Sequence, residues 1–387
     1  MGPKDINVIV PPELTDQIID HLHDDTRALR QCSLTCRSWL PAARCHLFER
    51  VRIDCACRTY NEFLHLIRRE PVVADSVHDF VIECREHYHS LPDPEQAELR
   101  DLSMPSCLQD TFDLISPLLK FVGRLTLTGL VLNNVTRSAI TSRFSSIHTL
   151  RLSRCITRAD DLFKLFAALP HLECFEHHAN VISAAHDSEI PSLPIHTLRV
   201  ISPHMIGIWN LVTLLALHAK VDTLIVTHVL RRTDFLFANN LMLPFRDTVT
   251  RFELTLDSII QGEDQHPAFA MVYHDENILY SVHSERVQEL ELGFGCHNAS
   301  SESMYMATLQ KHLVDIATIL LSDKFRGLKR LVVRTSTTGD EGTVLRPQRE
   351  AIIYSSLFHL MQRRRSIMLI VVVEKIWRPR ELNYDPL

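Results

Sequence analysis

The chain has 387 residues, 45% of them hydrophobic and 23% charged, with a formal net charge of −6. That length suggests two or three domains and leaves ample material for a buried core. The negative charge gives no electrostatic case for nucleic-acid binding. No run approaches the ~20 apolar residues of a membrane span, the longest being "IGIWNLVTLLAL" at 206–217. The start, "MGPKDINVIVPPEL", lacks the apolar region of a secretory signal, so a cytoplasmic or nuclear location is expected. Ten scattered cysteines without Cys-x-x-Cys spacing then read as reduced thiols.

Residues 8–50 read as a helical unit. Pro11, Pro12 and Glu13 suit the first turn of a helix, and Leu14, Ile18, Ile19 and Leu22 fall on one broad face. "HDDT" offers Asp or Thr as the next cap. Leu29, Cys32 and Cys36 follow at helical spacing, Ser38 is placed to cap a third helix, and Leu40, Ala43, Leu47 and Phe48 continue its stripe. Roughly 40 residues rarely make an independent core. Val10, Leu14, Ile18, Ile19, Leu22, Leu34 and Trp39 exceed what so small a unit can hide. They face either the rest of this chain or a partner.

Residues 51–120 form a linking segment, helical and irregular. "TYNEFLHLIRREP" predicts a helix ended by Pro71, "HDFVIEC" a short strand, and "REHYHSLPDPEQAELRDLSMPS" a polar loop.

Residues 121–387 carry a repeat, apolar-x-x-apolar-x-apolar. It occurs at Val122/Leu125/Leu127, Ile147/Leu150/Leu152, Leu169/Leu172/Cys174 and Ile195/Leu198/Val200. Four more copies follow at Val221/Leu224/Val226, Val249/Phe252/Leu254, Val287/Leu290/Leu292 and Leu328/Leu331/Val333. Helical patterns lie between: "RADDLFKLFAAL", "MIGIWNLVTLLALHA", "YMATLQKHLVDIATILLSDKF" and "QREAIIYSSLFHLMQRRR". "SIMLIVVVEKIW" reads as a buried final strand. Strand–helix units at this period stack with parallel strands on one side and helices on the other. Alternation then turns Thr126, Arg151, Glu173, Arg199, Ile225, Glu253, Glu291 and Val332 to an open face of mixed charge. Arg151, Arg199 and Glu253 are its expected target-binding residues. The long insertions, including 262–274, are the competing binding elements.

No Walker A, Gly-x-Ser-x-Gly or His-Glu-x-x-His motif is present. Gly293 and Gly295 follow a strand, but Asn298 stands where a dinucleotide fingerprint needs glycine. Cys84, His87 and His89, with Cys55 and Cys57, fit no standard zinc spacing. His177-His178 is a bare pair, and Cys36 with His46 reads as structural rather than as nucleophile and base. Arg363, Arg364 and Arg365 complement a helix C-terminus rather than forming a nuclear signal. No metal, cofactor, membrane or catalytic residue is expected.

"VPPELTDQIIDHL", followed by "ALRQCSLTCRSWLPAARCHLF", resembles the F-box domain in a form common in mushroom-type fungi. The matching elements are Pro11, Glu13, Leu14, Ile18, Leu22, Cys32, Leu34, Cys36, Trp39, Leu47 and Phe48; Val10 replaces the usual opening leucine. The remainder is similar to degenerate leucine-rich repeats. The fold so implied is α/β, a three-helix F-box unit before an irregular solenoid of parallel strands. Only Cys155 stands at the family's Asn/Cys ladder position, where other copies have Leu130, Pro203, Val229, Asp257, Gly295 and Ser336. The resemblance implies docking on a Skp-type adaptor and a cullin–RING ubiquitin ligase, with Pro11, Leu14, Ile18, Ile19, Leu22, Leu34 and Trp39 as contacts or their supports. The repeats would hold a protein target. An interaction scaffold acting outside the ligase is the alternative.

Overall fold

A computed structural model describes residues 11–55, 58–84, 106–182, 192–201, 208–229, 241, 243–256, 285–296, 302–337 and 342–375. Twelve strands and eleven α-helices lie within them, so the chain is α/β. The chain divides into two compact units, 1–172 and 173–387.

The first unit opens with helices α1 (Pro12–Asp20), α2 (Thr26–Thr35) and α3 (Leu40–Glu49). Asp25 caps α2, its carboxylate accepting from the N–H groups of Arg27 (3.0 Å) and Ala28 (2.9 Å). Ser38 does not cap α3. Its hydroxyl lies 3.0 Å from the Cys36 thiol, and Trp39 takes the cap position without a side-chain bond. Strand β1 (Arg50–Asp54) follows at once, then α4 (Arg58–Arg69), α5 (Pro71–Asp75) and β2 (Asp79–Glu83). Pro71 ends one helix by opening the next, as its fixed φ and missing N–H allow. After the short α6 (Ser106–Asp110) come β3 (Arg124–Thr128), β4 (Val131–Leu132), α7 (Asn134–Arg143), β5 (Thr149–Arg158) and α8 (Ala159–Ala167). Strands β1, β2, β3 and β5 pair in that order, all parallel. Phe80, Phe112 and Phe144 meet beneath them, ring centroids 6.1 Å apart in both contacts.

In the second unit β6 (Cys174–Ile182), β7 (Thr197–Ile201), β8 (Thr223–Val229), β9 (Arg251–Leu256), β10 (Glu289–Cys296), β11 (Arg330–Thr337) and β12 (Met368–Lys375) pair successively and in parallel. Helices α9 (Ile208–His218), α10 (Glu302–Leu320) and α11 (Gly342–Arg363) cross between strands. Parallel neighbours need such crossovers because a tight turn can only reverse the chain. The final strand departs from expectation. Met368 is exposed and residues 369–373 are half-buried, so β12 is not a buried strand.

One backbone device recurs at the strand entrances. In the first unit the His78 carbonyl accepts from the N–H groups of Gly123 and Arg124, both at 3.0 Å, and the Gly123 carbonyl accepts from His148 (2.8 Å) and Thr149 (3.1 Å). In the second the accepting carbonyls are Glu173, His196, Asp222, Thr250 and Gln288, each taking two N–H groups from the start of the next strand. The residue just before each acceptor is a buried aliphatic: Val77, Val122, Leu172, Ile195, Val221, Val249 and Val287. That register corrects the third copy of the repeat. It is Leu172/Phe175/His177, because Phe175 pairs with Leu198 and His177 with Val200. A polar residue in a core position hid the true frame. The device also reaches back to residues outside the expected repeat domain: the His78 N–H bonds to the Glu49 carbonyl at 2.9 Å, and β1 pairs with β2.

Two further positions show how the strands turn outward. Gly129 (φ 72°) and Arg154 (φ 52°) both take the left-handed conformation one residue beyond register partners Thr128 and Ser153. The Cys155 thiol then donates to the carbonyls of Leu127 on the neighbouring strand (3.4 Å) and Ser153 (3.3 Å). Gly327 is fixed by space. A Cβ there would lie 2.2 Å from the Glu285 carbonyl oxygen, and backbone cannot swing aside as a side chain can. Gly327→Ala should cost about 1–3 kcal/mol as an overpacking change. Gly123→Ala, whose Cβ would sit at an ordinary 3.6 Å from the His148 ring, is the control. Urea unfolding of both variants checks this, and equal midpoints would contradict it.

Candidate functional site

The helical unit completes its own core with few residues. Ile19, Leu29, Cys32 and Ala43 are buried together, and Leu22, Trp39, Ala42 and Leu47 pack against them. Of the expected adaptor-binding residues, Ile19 is therefore wholly internal, and Leu22 and Trp39 are partly so. Pro11, Leu14 and Ile18 are exposed, and Leu34 is 81% exposed. Leu14 and Ile18 stand one turn apart on α1, and Leu34 lies in the last turn of α2. Val10 lies outside the described residues.

The sheet face supplies the second surface. In the first unit Arg52, Val81, Thr126 and Arg151 are in register. In the second the corresponding row is Glu176, Arg199, Ile225, Glu253, Glu291, Val332 and Ile370. Glu176 thus takes the place expected for Glu173. The row is less open than alternation implies. Thr126, Glu176, Ile225, Glu291 and Val332 are buried, whereas Arg151, Arg199 and Glu253 are half-buried. Charges on this face pair across the strands and, for Arg251 with Glu253, along β9. Arg199 meets Glu176 at 3.6 Å; Arg251 meets Glu291 at 3.5 Å and both Glu253 and Glu289 at 4.0 Å. Arg330 meets Glu289 at 3.6 Å, and Arg334 pairs with Glu291. Burial, together with the Glu291 carboxylate, pushes the Glu253 carboxyl above its usual range against the pull of Arg199, Arg251 and Arg334.

Among the described residues the chemical motifs of the sequence do not assemble. His46 pairs with Asp20 at 2.8 Å, while the Cys36 thiol contacts Ser38, so the two form no nucleophile–base couple. Cys55 and Cys84 are buried; Cys57, His87 and His89 lie outside the described residues. Among the described residues no group of three or more His, Cys, Asp or Glu could hold a metal ion. Gly293 sits in mid-strand, where a Cβ would come within 2.9 Å of the Thr255 hydroxyl oxygen, a packing reason for glycine. Arg364 donates to the carbonyls of Ser322 (2.6 Å), Leu321 (3.4 Å) and Phe325 just beyond α10, covering groups that a helix end leaves open. Among the described residues no helix is long and apolar enough to cross a membrane. The loop 262–274 is outside the described residues.

Neither protein-family models nor curated proteins give a match to this chain.

Sequence reasoning missed His177 as a core residue. It is fully buried, its ring 5.8 Å from that of Phe175. Burial, with a smaller push from His178, depresses its pKa to about 3. The cysteines divide by environment. Cys36 is exposed, and its bond with Ser38 lowers the thiol pKa; burial pushes Cys155 up to about 11. Iodoacetamide at neutral pH should modify Cys36 early and leave Cys155 untouched until unfolding. Peptide mapping by mass spectrometry would show this, and modification of native Cys155 at a matching rate would contradict it.

Proposed function

We propose that the chain is the substrate-recognition subunit of a Skp–cullin–F-box type ubiquitin ligase. Its three N-terminal helices dock on a Skp-type adaptor, and its strand–helix repeats, an irregular leucine-rich solenoid in this reading, hold a protein target. The observation that carries the reading is that three aliphatics, Leu14 and Ile18 on α1 and Leu34 on α2, stay exposed while Ile19, Leu29, Cys32 and Ala43 form the buried core of the helical unit. The order of residues from Pro11 to Phe48, which resembles an F-box, gives these side chains their partner. Catalysis in such an assembly is by proximity: the target is held beside the charged conjugating enzyme, and this chain contributes no reacting group.

Affinity capture of the tagged chain from cells with the proteasome blocked is the test. Adaptor and cullin should be recovered together with an enriched target. Adaptor without cullin would favour a scaffold outside the ligase.

A further inference from the structure

We propose that the charged face of strands β7–β11 receives an acidic peptide segment, its carboxylates meeting Arg199, Arg251, Arg330 and Arg334. The proposal deepens the target-binding role above and rests on it. By count this face, taken with Glu176 of the adjoining β6, is neutral, with four arginines against Glu176, Glu253, Glu289 and Glu291. By depth it is not. The arginine side chains are 38–43% exposed, whereas those of Glu176, Glu291 and Glu253 are 6%, 9% and 18% exposed. Glu289 alone among the four acids reaches solvent to a comparable degree, and it is held between Arg251 and Arg330.

The cause is side-chain length on a shared register. Short carboxylates rooted in the middle row stay near the sheet. The longer arginines pair with them and still reach solvent, although the Nε atoms of Arg199 and Arg330 are buried. Arg199 and Arg330 each meet one carboxylate, which does not consume a guanidinium's five N–H donors, and the fork suits a second carboxylate. The first unit repeats the order within itself: exposed Arg50, Arg52 and Arg124 stand over the largely buried Asp79 and Glu83, which they pair with. A ligand reaching such a face meets cations first.

Spacing and floor favour a peptide over a nucleic acid. The arginines come from alternate strands, β7, β9 and β11, with neighbouring strands ~4.8 Å apart. Successive posts are therefore roughly 10 Å apart, close to one three-residue turn of polyproline II chain at ~3.1 Å per residue, which brings every third side chain to the same side. Aliphatic Ile225 lies between the first two posts and Val332 beside the last, suited to apolar side chains between the acids. The carboxylates beneath, and the chain's net charge of −6, oppose a continuous polyanion.

The test uses the full chain and fluorescence anisotropy. The probe is a labelled peptide with glutamate at every third position; a lysine counterpart and a single-stranded RNA are the comparators. The glutamate peptide should bind, weaken as salt rises, and exceed both comparators. Arg199→Gln with Glu176→Gln removes one whole ion pair, so the fold keeps no unpaired carboxylate there; circular dichroism verifies it. That variant should bind about tenfold more weakly, the loss of one charge-assisted contact. Equal binding of the two peptides, an undiminished variant, or preferential RNA binding would each overturn the proposal. Adaptor pull-down separates the two claims. Adaptor capture without glutamate-peptide binding removes the acidic class and leaves the ligase reading. Peptide binding without adaptor capture does the reverse.

Discussion

Leu14→Asp combined with Ile18→Asp should abolish capture of a Skp-type adaptor while the circular dichroism and unfolding midpoint of the chain stay near wild type. Both side chains are exposed, so the free protein loses little by their replacement. In the proposed complex the part still exposed, 51% of Leu14 and 47% of Ile18, is buried, at about 0.8–1.5 kcal/mol apiece. Together that is roughly 1.5–3 kcal/mol, a loss of about one to two powers of ten in affinity, before the larger cost of burying two carboxylates is added. Leu34→Asp should add to the loss, since Leu34 is the most exposed of the three. Leu22 and Ile19 are unsuitable for this test, because both belong to the helical core and their substitution would report folding. Undiminished pull-down by the double variant would contradict the docking surface.

The second large effect concerns acid. His177 sits in a core position, with a pKa of about 3 in the fold against 6.5 in the unfolded chain. Between those values the unfolded chain binds a proton that the folded one refuses. The stabilising contribution is therefore complete above pH 6.5 and is lost as pH falls from 6.5 toward 3. Each unit in that window is worth about 1.4 kcal/mol. His177→Leu places an aliphatic where the other copies of the repeat carry one, and it removes this titration. Relative to wild type, the variant should gain about 2 kcal/mol between pH 7.5 and pH 5. Paired urea titrations at the two pH values measure the difference, in which the other histidines cancel. Identical pH dependence in the two proteins would show that His177 is not titrating as its burial requires.

His177 also marks the limit of what the sequence discloses. Parallel strands and intervening helices were legible because most triplets are wholly apolar, as at Leu198/Val200 and Leu290/Leu292. Where histidine filled the last place, pattern reading slid by three residues and put Glu173 where Glu176 belongs. Strand β1 escaped notice because Val51 and Ile53 sit directly after a helix, with no turn residues between to announce a new element. Helix α7 was equally hidden: "NVTRSAITSR" is weakly amphipathic, and it is held by the Asn133 cap and by tertiary contacts such as Arg137–Asp161 at 2.8 Å. Among the site residues, spacing placed Leu14 and Ile18 with Ile19 on one broad face but could not say which of the three the core would claim. Depth was illegible altogether. Nothing in the order of residues distinguishes Glu291 beneath Arg334 from Glu289 at the surface; both lie on β10 between β9 and β11, Glu289 at the first position of the strand and Glu291 two residues further in.

The most direct test of the account is co-expression of the full chain with a Skp-type adaptor, followed by size-exclusion chromatography with light scattering. A stoichiometric one-to-one complex, dissolved by Leu14→Asp with Ile18→Asp, is the expected result. A folded chain that elutes without the adaptor at micromolar concentration would contradict the ubiquitin-ligase reading outright.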